Sequence, residues 1–444
     1  MTSPEETLKR KREKREKREK REKERERAAA SKPFFLEKKV EVPKEKMLRT
    51  SASAGVARGG GKNVVASTSR CSQSRRLPFR GGQASDVLRK RRRGTTAAAG
   101  AFDGEEFQIA KVLEQLCESK DLSFDESKAA LSALVDEGDA ARISAFLVLL
   151  RAKGETALEV AGLARAMQDR MEPVKVENTA VDIVGTGGDS AGTVNISTGA
   201  CVLTAACGLT VAKHGNRSVS SLCGSADVLE NLGVVIDLGP KEMEQCLAEA
   251  GIGFMFAPRF HPAMKAVVPV RRSLKVRTAF NILGPMLNPA RVPYALVGVY
   301  SRDVQKLMAE ALQELGFEKA LVVNSMGIDE LTPAGPADVV EVTTSGVKEY
   351  KVFPKDVGIP SCELDDLKGG DAAVNAQMLL DVFGGEDSPV ADALILNSGF
   401  ALATANFAKT PAEGVAMAKE VQRSGKAAAV MEKWAQTSQK VANK

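Results

Sequence analysis

The sequence predicts an α/β protein in which a small all-helical domain precedes a larger α/β domain with a mostly parallel central sheet. Apolar residues recur at helical spacing in residues 104–171, whereas short apolar runs alternate with helical stretches after residue 178. This alternation favours a parallel sheet that is covered by helices on both faces. With 444 residues, the chain is long enough for two domains that each bury a core.

The helical domain is predicted to span residues 103–175 and to contain four helices. Ser123 is a predicted N-cap with Asp125 and Glu126 in the first turn after it, and Pro173 closes the helical run. These helices need partners for their apolar faces, either among themselves or on another subunit. The four faces are Ile109, Val112, Leu113 and Leu116; Ala129, Leu131, Leu134 and Val135; Ile143, Phe146, Leu147 and Leu150; and Leu158, Val160, Leu163 and Met167.

The α/β domain is predicted to span residues 176–444. Glycines at 208, 233, 251 and 316 stand where helix C-caps belong. A hairpin is predicted at 338–353 with its turn at Ser345-Gly346, and residues 371–442 are predicted to be mostly helical. The predicted strands are 181–184, 209–212, 234–236, 253–256, 295–300 and 320–323, and the predicted helices between them are 197–207, 225–232, 240–250, 260–274 and 303–315.

The charge of the chain is divided between an N-terminal tail and the rest. The formal net charge of +6 combines +18 in residues 1–102 with −12 in the remaining residues. A nucleic-acid-binding body usually has the opposite balance. Binding to DNA or RNA would therefore depend on the tail or on the basic stretch 271–277, and we expect no nucleic-acid partner.

The tail, residues 1–102, is predicted to be a disordered basic segment. Residues 9–27 repeat Lys-Arg-Glu at period three without an apolar face, which is typical of a solvated run; a nucleic-acid or protein contact is the alternative. From Met47 the composition is rich in Ser, Ala, Gly and Arg and contains one acid, as in an organelle transit peptide. We therefore expect a location in the plastid stroma, with translation starting at Met47, and otherwise a cytoplasmic protein.

Cysteine, histidine and apolar runs exclude several classes of protein. The seven cysteines show no C-x-x-C spacing and are predicted to be reduced core residues. With only two histidines, a zinc site built on histidine is not expected. No run approaches 18 apolar residues, so we predict no transmembrane helix and no membrane partner.

The first segment that carries chemistry follows the predicted strand 181–184. It reads Gly-Thr-Gly-Gly-Asp at 185–189 and is followed by Asn195, Ser197 and Thr198 at the start of a helix. Glycines let a backbone approach a ligand, and a helix start offers unpaired N–H groups to an anion. The pattern fits neither the dinucleotide fingerprint nor the P-loop, and an ordinary tight turn is the alternative.

The second segment, residues 213–227, follows the next strand along the chain. Lys213 and Arg217 are candidate cations for phosphate or carboxylate, and Ser225 is a candidate helix cap. Because parallel strands end at one edge of a sheet, both segments are expected at the ligand-binding edge. Further hydroxyl donors are Ser218, Ser220 and Ser221. Together the two loops predict a ligand that carries several phosphates.

Two further segments are candidates for binding a metal ion and a carboxylate. Asp329 and Glu330 follow a predicted strand, and paired carboxylates suit Mg²⁺ that completes its shell with substrate phosphates. The stretch 271–277 holds Arg271, Arg272, Lys275 and Arg277. One arginine in a pocket clamps a carboxylate through two hydrogen bonds, although each alone is also compatible with a surface cation.

Together these segments resemble the anthranilate phosphoribosyltransferases, a family of tryptophan biosynthesis. The motifs that carry the resemblance lie at 185–189, 195–198, 213–221, 224–227, 277–281, 283–285 and 329–330. The resemblance covers about residues 105–440 and is most specific at 213–221, where the related pyrimidine nucleoside phosphorylases differ. It implies a helical and an α/β domain joined by hinges, with residues 260–280 returning to the helical domain, and a homodimer formed through that domain.

The resemblance also implies a reaction and its residues. The 5-phosphoribosyl group of phosphoribosyl pyrophosphate would pass to the amine of anthranilate, in the presence of Mg²⁺, with Lys213, Asp329 and Glu330 stabilising the transition state. A nucleoside phosphorylase of the same architecture and an inactive relative are the alternatives. The implied phosphoribosyl pyrophosphate ligands are Gly185, Gly188, Asp189, Thr193, Asn195, Ile196, Ser197, Thr198, Lys213, Ser221 and Ser225. The implied anthranilate contacts are Gly185, His214, Asn216 and Arg271, and the implied metal ligands are Ser197, Asp329 and Glu330.

Three positions depart from the pattern of the family. Leu222-Cys223 stands where a basic residue, often with a serine, is expected, and Lys275 stands where a glycine is usual. The run Asn324-Ser-Met326 replaces a smaller and more polar one before the acidic pair. None of them removes an implied site residue, but Lys275 is expected to affect helix packing or the charge around Arg271.

Overall fold

The computed structural model describes residues 108–218 and 222–443. The predictions for residues 1–102, including the transit peptide and the start at Met47, lie outside the described residues, and so do those for Ser220 and Ser221. None of the helices within the described part of the chain has both the length and the apolar character that crossing a membrane requires. The six cysteines in that part form no disulfide.

Four helices form the N-terminal unit, as predicted. They are α1 (Ile109–Cys117), α2 (Phe124–Glu137), α3 (Ala140–Lys153) and α4 (Ala157–Gln168). Helices α2 and α4 begin with capping boxes at Ser123 and Thr156, so their first backbone N–H groups are paired. Sequence alone therefore explains where these helices start.

The sheet has seven strands in the order β3-β2-β1-β4-β5-β6-β7. Strands β1 to β5 are parallel, and β6 and β7 form the predicted antiparallel hairpin at one edge. The mostly parallel sheet predicted from strand–helix alternation is confirmed. The strands are β1 (Ala180–Gly185), β2 (Thr210–Gly215), β3 (Ile252–Phe256), β4 (Tyr294–Gly298), β5 (Lys319–Asn324), β6 (Ala337–Thr343) and β7 (Gly346–Val352).

The predicted strand at 234–236 is wrong. Val234 and Ile236 are buried in the core, but they lie in a connection between two helices. The N–H of Val235 donates to Oγ of Ser438 at 3.0 Å and not to a neighbouring strand. An apolar run marks burial, and only the partner of its backbone decides whether it is a strand.

The remaining helices pack on the sheet, on one another or on the N-terminal helices. The predicted helix 260–274 is divided, because α8 ends at Phe260 and α9 starts at Met264 after the turn at Pro262. Helix α9 packs against α3, and α4 packs against α10, so a single core joins these helices to β4 and β5. The helices are α5 (Ile196–Ala206), α6 (Ser225–Asn231), α7 (Pro240–Ala250), α8 (Ala257–Phe260), α9 (Met264–Leu274), α10 (Arg302–Leu315), α11 (Ala372–Phe383), α12 (Pro389–Thr404), α13 (Pro411–Arg423) and α14 (Lys426–Ala442).

Candidate functional site

The candidate site lies at the carboxyl edge of the sheet, between β1 and β4. The strand order reverses at this point, and open α/β sheets bind ligands at such switch points. Gly185 and Gly298 are paired there at the ends of the two strands, and Asp329 crosses above them. A Cβ on Gly298 would meet the backbone O of Asp329, and one on Gly185 would meet the carboxylate of Asp329. Both positions thus require glycine so that the acidic segment can lie across the sheet edge.

The acidic pair joins the first predicted segment to the third. Asp329 Oδ2 accepts a hydrogen bond from the N–H of Gly187 at 2.6 Å. Glu330 Oε1 accepts one from the N–H of Ser197, in the first turn of α5, at 2.9 Å. The glycine loop, the start of α5 and the two carboxylates therefore form one cluster, which also borders a small cavity.

The electrostatics of this cluster favour a cation. Burial and the nearby Asp189 carboxylate raise the pKa of Asp329 to about 7. Burial, followed by the charge of Asp329, raises the pKa of Glu330 well above its usual value. Burial is the larger cause of both shifts and disfavours the charged carboxylates, and a bound divalent cation would favour the charged forms again.

The donor set fits Mg²⁺ in particular. Asp329, Glu330 and the hydroxyl of Ser197 offer hard oxygen atoms, which Mg²⁺ prefers. Among residues 108–218 and 222–443, no three His, Cys, Asp or Glu side chains form a metal-binding group by themselves. A metal held by Asp329, Glu330 and Ser197 would therefore need further ligands, such as substrate oxygens and water.

Two buried asparagines hold the acidic segment in place, and the motifs did not reveal them as site residues. The carboxamide of Asn397, in α12, accepts from the N–H of Leu331 at 3.2 Å and donates to the carbonyl of Leu331 at 2.7 Å. Asn324 donates to the carbonyl of Val299 at 2.6 Å and accepts from the N–H of Gly327. An amide in the middle of a mostly apolar, buried helix is the signal that singles out Asn397.

The glycine loop has the shape of an anion-binding turn. Gly187, Gly188, Ser190 and Gly192 all have positive φ values, between 59° and 85°. Alternation into the left-handed region turns successive N–H groups toward a common side. The carbonyl of Gly188 accepts a hydrogen bond from Nη2 of Arg277 at 2.9 Å.

The end of the glycine loop is tied to its surroundings. Thr193 forms an isolated β-bridge with Lys368. Asn195 donates to the carbonyl of Cys223 at 3.2 Å and accepts from Nδ2 of Asn375 at 2.9 Å. The side chain of Asn195 thus links three segments, while that of Ile196 is fully buried.

The second predicted segment lies beside the first. Thr198 Oγ1 donates to Ser225 Oγ at 3.0 Å, which joins α5 to the start of α6. Leu222 is 86% exposed, whereas the thiol of Cys223 is buried and donates to Asn195 Oδ1 at 3.3 Å. The departure at 222–223 therefore places one apolar side chain in solvent and one thiol against a site residue.

Lys213 is buried beneath this edge, with 1% of its surface exposed. Its Nζ donates to the carbonyl of Ile183 at 2.7 Å. Its charge lowers the pKa of both Asp182 and Glu330, although burial dominates each shift and raises the pKa of Asp182 to about 6. Lys213 is thus the internal counter-charge of the cluster.

Arg217, predicted as a phosphate cation, is engaged elsewhere. Its guanidinium donates to Asp227 at 2.6 Å and to both carboxylate oxygens of Glu230, at 2.7 and 2.8 Å. It also lies 5.7 Å from the ring centroid of Phe256. The neighbouring Asn216 is exposed, and its Oδ1 accepts from the N–H of Arg217 at 2.8 Å.

The two histidines form a buried pair. Their Nε2 atoms are 3.1 Å apart, and Nδ1 of His214 lies 3.2 Å from the carbonyl of Gly284. Burial lowers the pKa of His214 to about 3, with His261 as a further cause, and burial lowers that of His261 to about 4. Both rings are neutral at pH 7.

Arg271 lies in the last turn of α9. It is partly buried, its guanidinium carbon is 5.8 Å from the ring centroid of Phe280, and burial lowers its pKa. Lys275 ends the helix with φ of 54°, a left-handed conformation that costs a residue other than glycine about 1–2 kcal/mol. This conformation explains why a glycine suits the position.

Comparisons with known proteins cover both structural units. Residues 110–171 match the family described as "Glycosyl transferase family, helical bundle domain", and residues 177–428 match "Glycosyl transferase family, a/b domain". An anthranilate phosphoribosyltransferase from Chlamydia felis is 42% identical over 330 residues, which are 74% of this chain and 96% of that protein.

Solved structures agree with these matches. Anthranilate phosphoribosyltransferase from Thermus thermophilus has a TM-score of 0.70 and 41% identity, covering 74% of this chain and 99% of that one. The Saccharomyces cerevisiae enzyme in complex with PRPP and Mg has a TM-score of 0.69 and 25% identity, covering 76% and 99%. Because the family models match both parts of the chain and the Chlamydia felis relative is 42% identical over 74% of it, this chain belongs to the anthranilate phosphoribosyltransferase family.

Proposed function

We propose that this chain transfers the 5-phosphoribosyl group of phosphoribosyl pyrophosphate to the amine of anthranilate. A bond forms between the amine nitrogen and C1 of the ribose, the bond from C1 to pyrophosphate breaks, and the amine loses a proton. The observation that carries this proposal is the cluster in which Asp329 and Glu330 bind the glycine loop and the start of α5. Family membership favours this reaction over that of a nucleoside phosphorylase.

The donor substrate would be held by the glycine loop and the start of α5. Backbone N–H groups with fixed directions stabilise the charge of a departing pyrophosphate without reorganising. The polar side chains at α5 and α6 would complete this half of the site, and Lys213 would act from below as a fixed charge. The residues assigned to the donor are Gly185, Gly188, Asp189, Thr193, Asn195, Ile196, Ser197, Thr198, Lys213, Ser221 and Ser225.

Asp329, Glu330 and Ser197 would hold Mg²⁺ together with pyrophosphate oxygens. When bound, the ion neutralises negative charge that grows on the leaving group. Asp329 must lose its proton to bind Mg²⁺, and its pKa of about 7 places this deprotonation near neutral pH. Asn397 and Asn324 would hold the backbone on either side of the two carboxylates, so that both carboxylates stay within hydrogen-bond distance of the loop and of α5.

The acceptor would lie near Arg271, Asn216 and His214, with Gly185 between the two substrates. The partly buried guanidinium of Arg271 would bind the carboxylate of anthranilate. An aryl amine is already neutral at pH 7, so no strong base is needed, in agreement with histidines that stay neutral. Holding both substrates in line supplies much of the remaining rate.

The decisive experiment follows the loss of anthranilate fluorescence with phosphoribosyl pyrophosphate, with and without Mg²⁺. Product should form only when both substrates and the metal are present. A parallel assay with a pyrimidine nucleoside and phosphate should yield no free base. Cleavage of the nucleoside without turnover of anthranilate would overturn the proposed reaction.

We further propose that the chain divides into a helical domain at residues 103–175, joined by residues 260–280, and an α/β domain at residues 176–444.

We also propose that the protein is a homodimer. Val148 on α3 and Leu158 on α4 are 41% and 44% exposed and offer apolar surface for a partner. Light scattering should give twice the chain mass, and a Leu158→Glu variant should give a monomer. A monomeric wild-type protein would contradict the proposal.

We propose a plastid location from the composition of residues 47–102. The native mature protein should begin after Met47 when its N-terminus is sequenced. A mature chain that retains the Lys-Arg-Glu repeat of residues 9–27 would contradict both the start at Met47 and the import.

A further inference from the structure

Arg277 contacts the glycine loop, although it is not one of the residues assigned to the donor substrate. Its Nη2 donates to the carbonyl of Gly188 at 2.9 Å. Its guanidinium carbon lies 4.2 Å from the ring centroid of Tyr300, within the range of a strong cation–π contact. A Cβ on Gly188 would lie 3.5 Å from the guanidinium and 3.9 Å from the Tyr300 ring, so the three residues pack closely.

The hydrogen bond to Gly188 fixes the orientation of a peptide plane. In a planar trans peptide, the carbonyl of one residue and the N–H of the next point in opposite directions. When Arg277 holds the carbonyl of Gly188, the N–H of Asp189 is turned away from Arg277. Glycine at 187 and 188 would otherwise let this plane rotate at little cost, because both signs of φ are open to glycine.

We propose that Arg277 is a positioning residue that fixes the Gly188–Asp189 peptide so that the loop presents its N–H groups to the phosphates of the donor substrate. This inference rests on the proposed function, because it assumes that the loop binds phosphoribosyl pyrophosphate. Tyr300 serves by holding the guanidinium under the loop. Arg277 acts through the backbone of Gly188 and not by contacting the substrate.

The competing explanation is that Arg277 binds a phosphate directly through its charge. The two explanations differ in the role of Tyr300. If Arg277 acts by position, removal of the ring should weaken donor binding in the same way as removal of the guanidinium. If Arg277 acts as a free charge, the ring is dispensable, and the effect of salt on donor binding should fall when Arg277 is removed.

The test titrates phosphoribosyl pyrophosphate with Mg²⁺ into each protein by calorimetry, without anthranilate, and repeats the titration at two salt concentrations. Arg277→Ala should weaken binding by about 10- to 100-fold, the value of a hydrogen bond that orders a site for a charged group. Tyr300→Leu should weaken it by a smaller factor, and the double variant should be no weaker than Arg277→Ala alone, since both changes release one contact. Tyr300→Phe, which keeps the ring, and Arg272→Ala, which removes an exposed cation of the same segment, should bind as the wild type does.

Several results would overturn the proposal. They are normal binding by Tyr300→Leu, additive losses in the double variant, and a salt effect that disappears with Arg277. Should Arg277→Ala fail to fold in a thermal scan, Tyr300→Leu decides alone. A wild-type protein that binds the donor but forms no product with anthranilate would refute the proposed function, while the titrations still decide the role of Arg277.

Discussion

Gly298 lies directly under the backbone of Asp329, and a Cβ built on Gly298 would collide with the carbonyl oxygen of Asp329. Asp329, whose carboxylate accepts a hydrogen bond from the glycine loop, is therefore positioned by a glycine at the end of β4. This contact fixes the height of the acidic segment above the sheet. It makes Gly298 as important to the site as the residues that carry charge.

Gly298→Ala should lower kcat/KM by about 100-fold or more, because the displaced carboxylates no longer meet the loop and the start of α5. Steady-state rates at saturating Mg²⁺ measure the effect. Gly384→Ala is the matched control, since its nearest contacts are 3.4 and 3.5 Å and its φ is −75°. Equal losses in the two variants would show that the change acts through general instability.

Asp329→Asn should lower kcat/KM by about 100-fold or more, because several kcal/mol of charge stabilisation disappear with the carboxylate. The Mg²⁺ concentration for half-maximal rate should rise at the same time. Asp356→Asn, at an exposed position away from the cluster, is the control. Unchanged dependence on Mg²⁺ in Asp329→Asn would argue against its role as a metal ligand.

The affinity for Mg²⁺ should fall as pH falls below about 7. Burial and Asp189 raise the pKa of Asp329 to about 7, so protons compete with the metal from neutral pH downward. Activation constants for Mg²⁺ measured between pH 6 and 8 test this, and they should decrease as pH rises. A constant that is independent of pH across this range would contradict the raised pKa.

Arg271→Ala should raise the KM for anthranilate by about 10- to 100-fold, the loss expected for a charge-assisted pair, and leave donor binding nearly unchanged. Arg272→Ala, one residue along the same helix and exposed, is the matched control. Initial rates at varied concentrations of each substrate separate the two effects. Equal increases in both KM values would refute the assignment of Arg271 to the acceptor.

The histidine pair should make the folded protein less stable at acid pH. The pKa values of about 3 and 4 in the folded protein lie below the unfolded value of about 6.5, so the unfolded chain binds more protons between these limits. Their stabilising contribution is complete above about pH 6.5 and is lost as pH falls through the folded pKa values of about 4 and 3.

Asp329 and Glu330 act in the opposite sense, since their pKa values are raised by folding. A His261→Gln variant isolates the histidine effect, because it shares these carboxylates with the wild type. Melting temperatures between pH 7 and 4 should fall more steeply for the wild type than for the variant. Parallel curves would show that the pair does not titrate on unfolding.

Most of the fold is predictable because its signals are local. The capping boxes at Ser123 and Thr156 and the hairpin turn at Ser345-Gly346 depend on neighbours within a few residues. The error at 234–236 has the opposite origin. Burial is visible in an apolar run, but the hydrogen bond from Val235 to Ser438 joins residues 203 apart.

The segments that form the candidate site were predictable from the sequence, but the contacts between their side chains were not. Gly185, Ser197, Asp329 and Glu330 come together as expected from strands that end at one edge of the sheet. Asn397, Gly298 and Tyr300 were missed, since each acts on a segment distant in sequence. Arg217 was expected to face phosphate, and it pairs with Asp227 and Glu230.

The sequence by itself determined most of the helices and strands, except at 234–236 and 260–274, together with the glycine-rich and acidic segments and the family that these motifs resemble. Only the tertiary structure decided that Lys213 is buried under Ile183, that the two histidines are neutral, and that Arg277 holds Gly188. The reason is physical: motif chemistry resides in residue types along the chain, whereas burial, pKa and hydrogen-bond direction depend on which distant atoms fold against them.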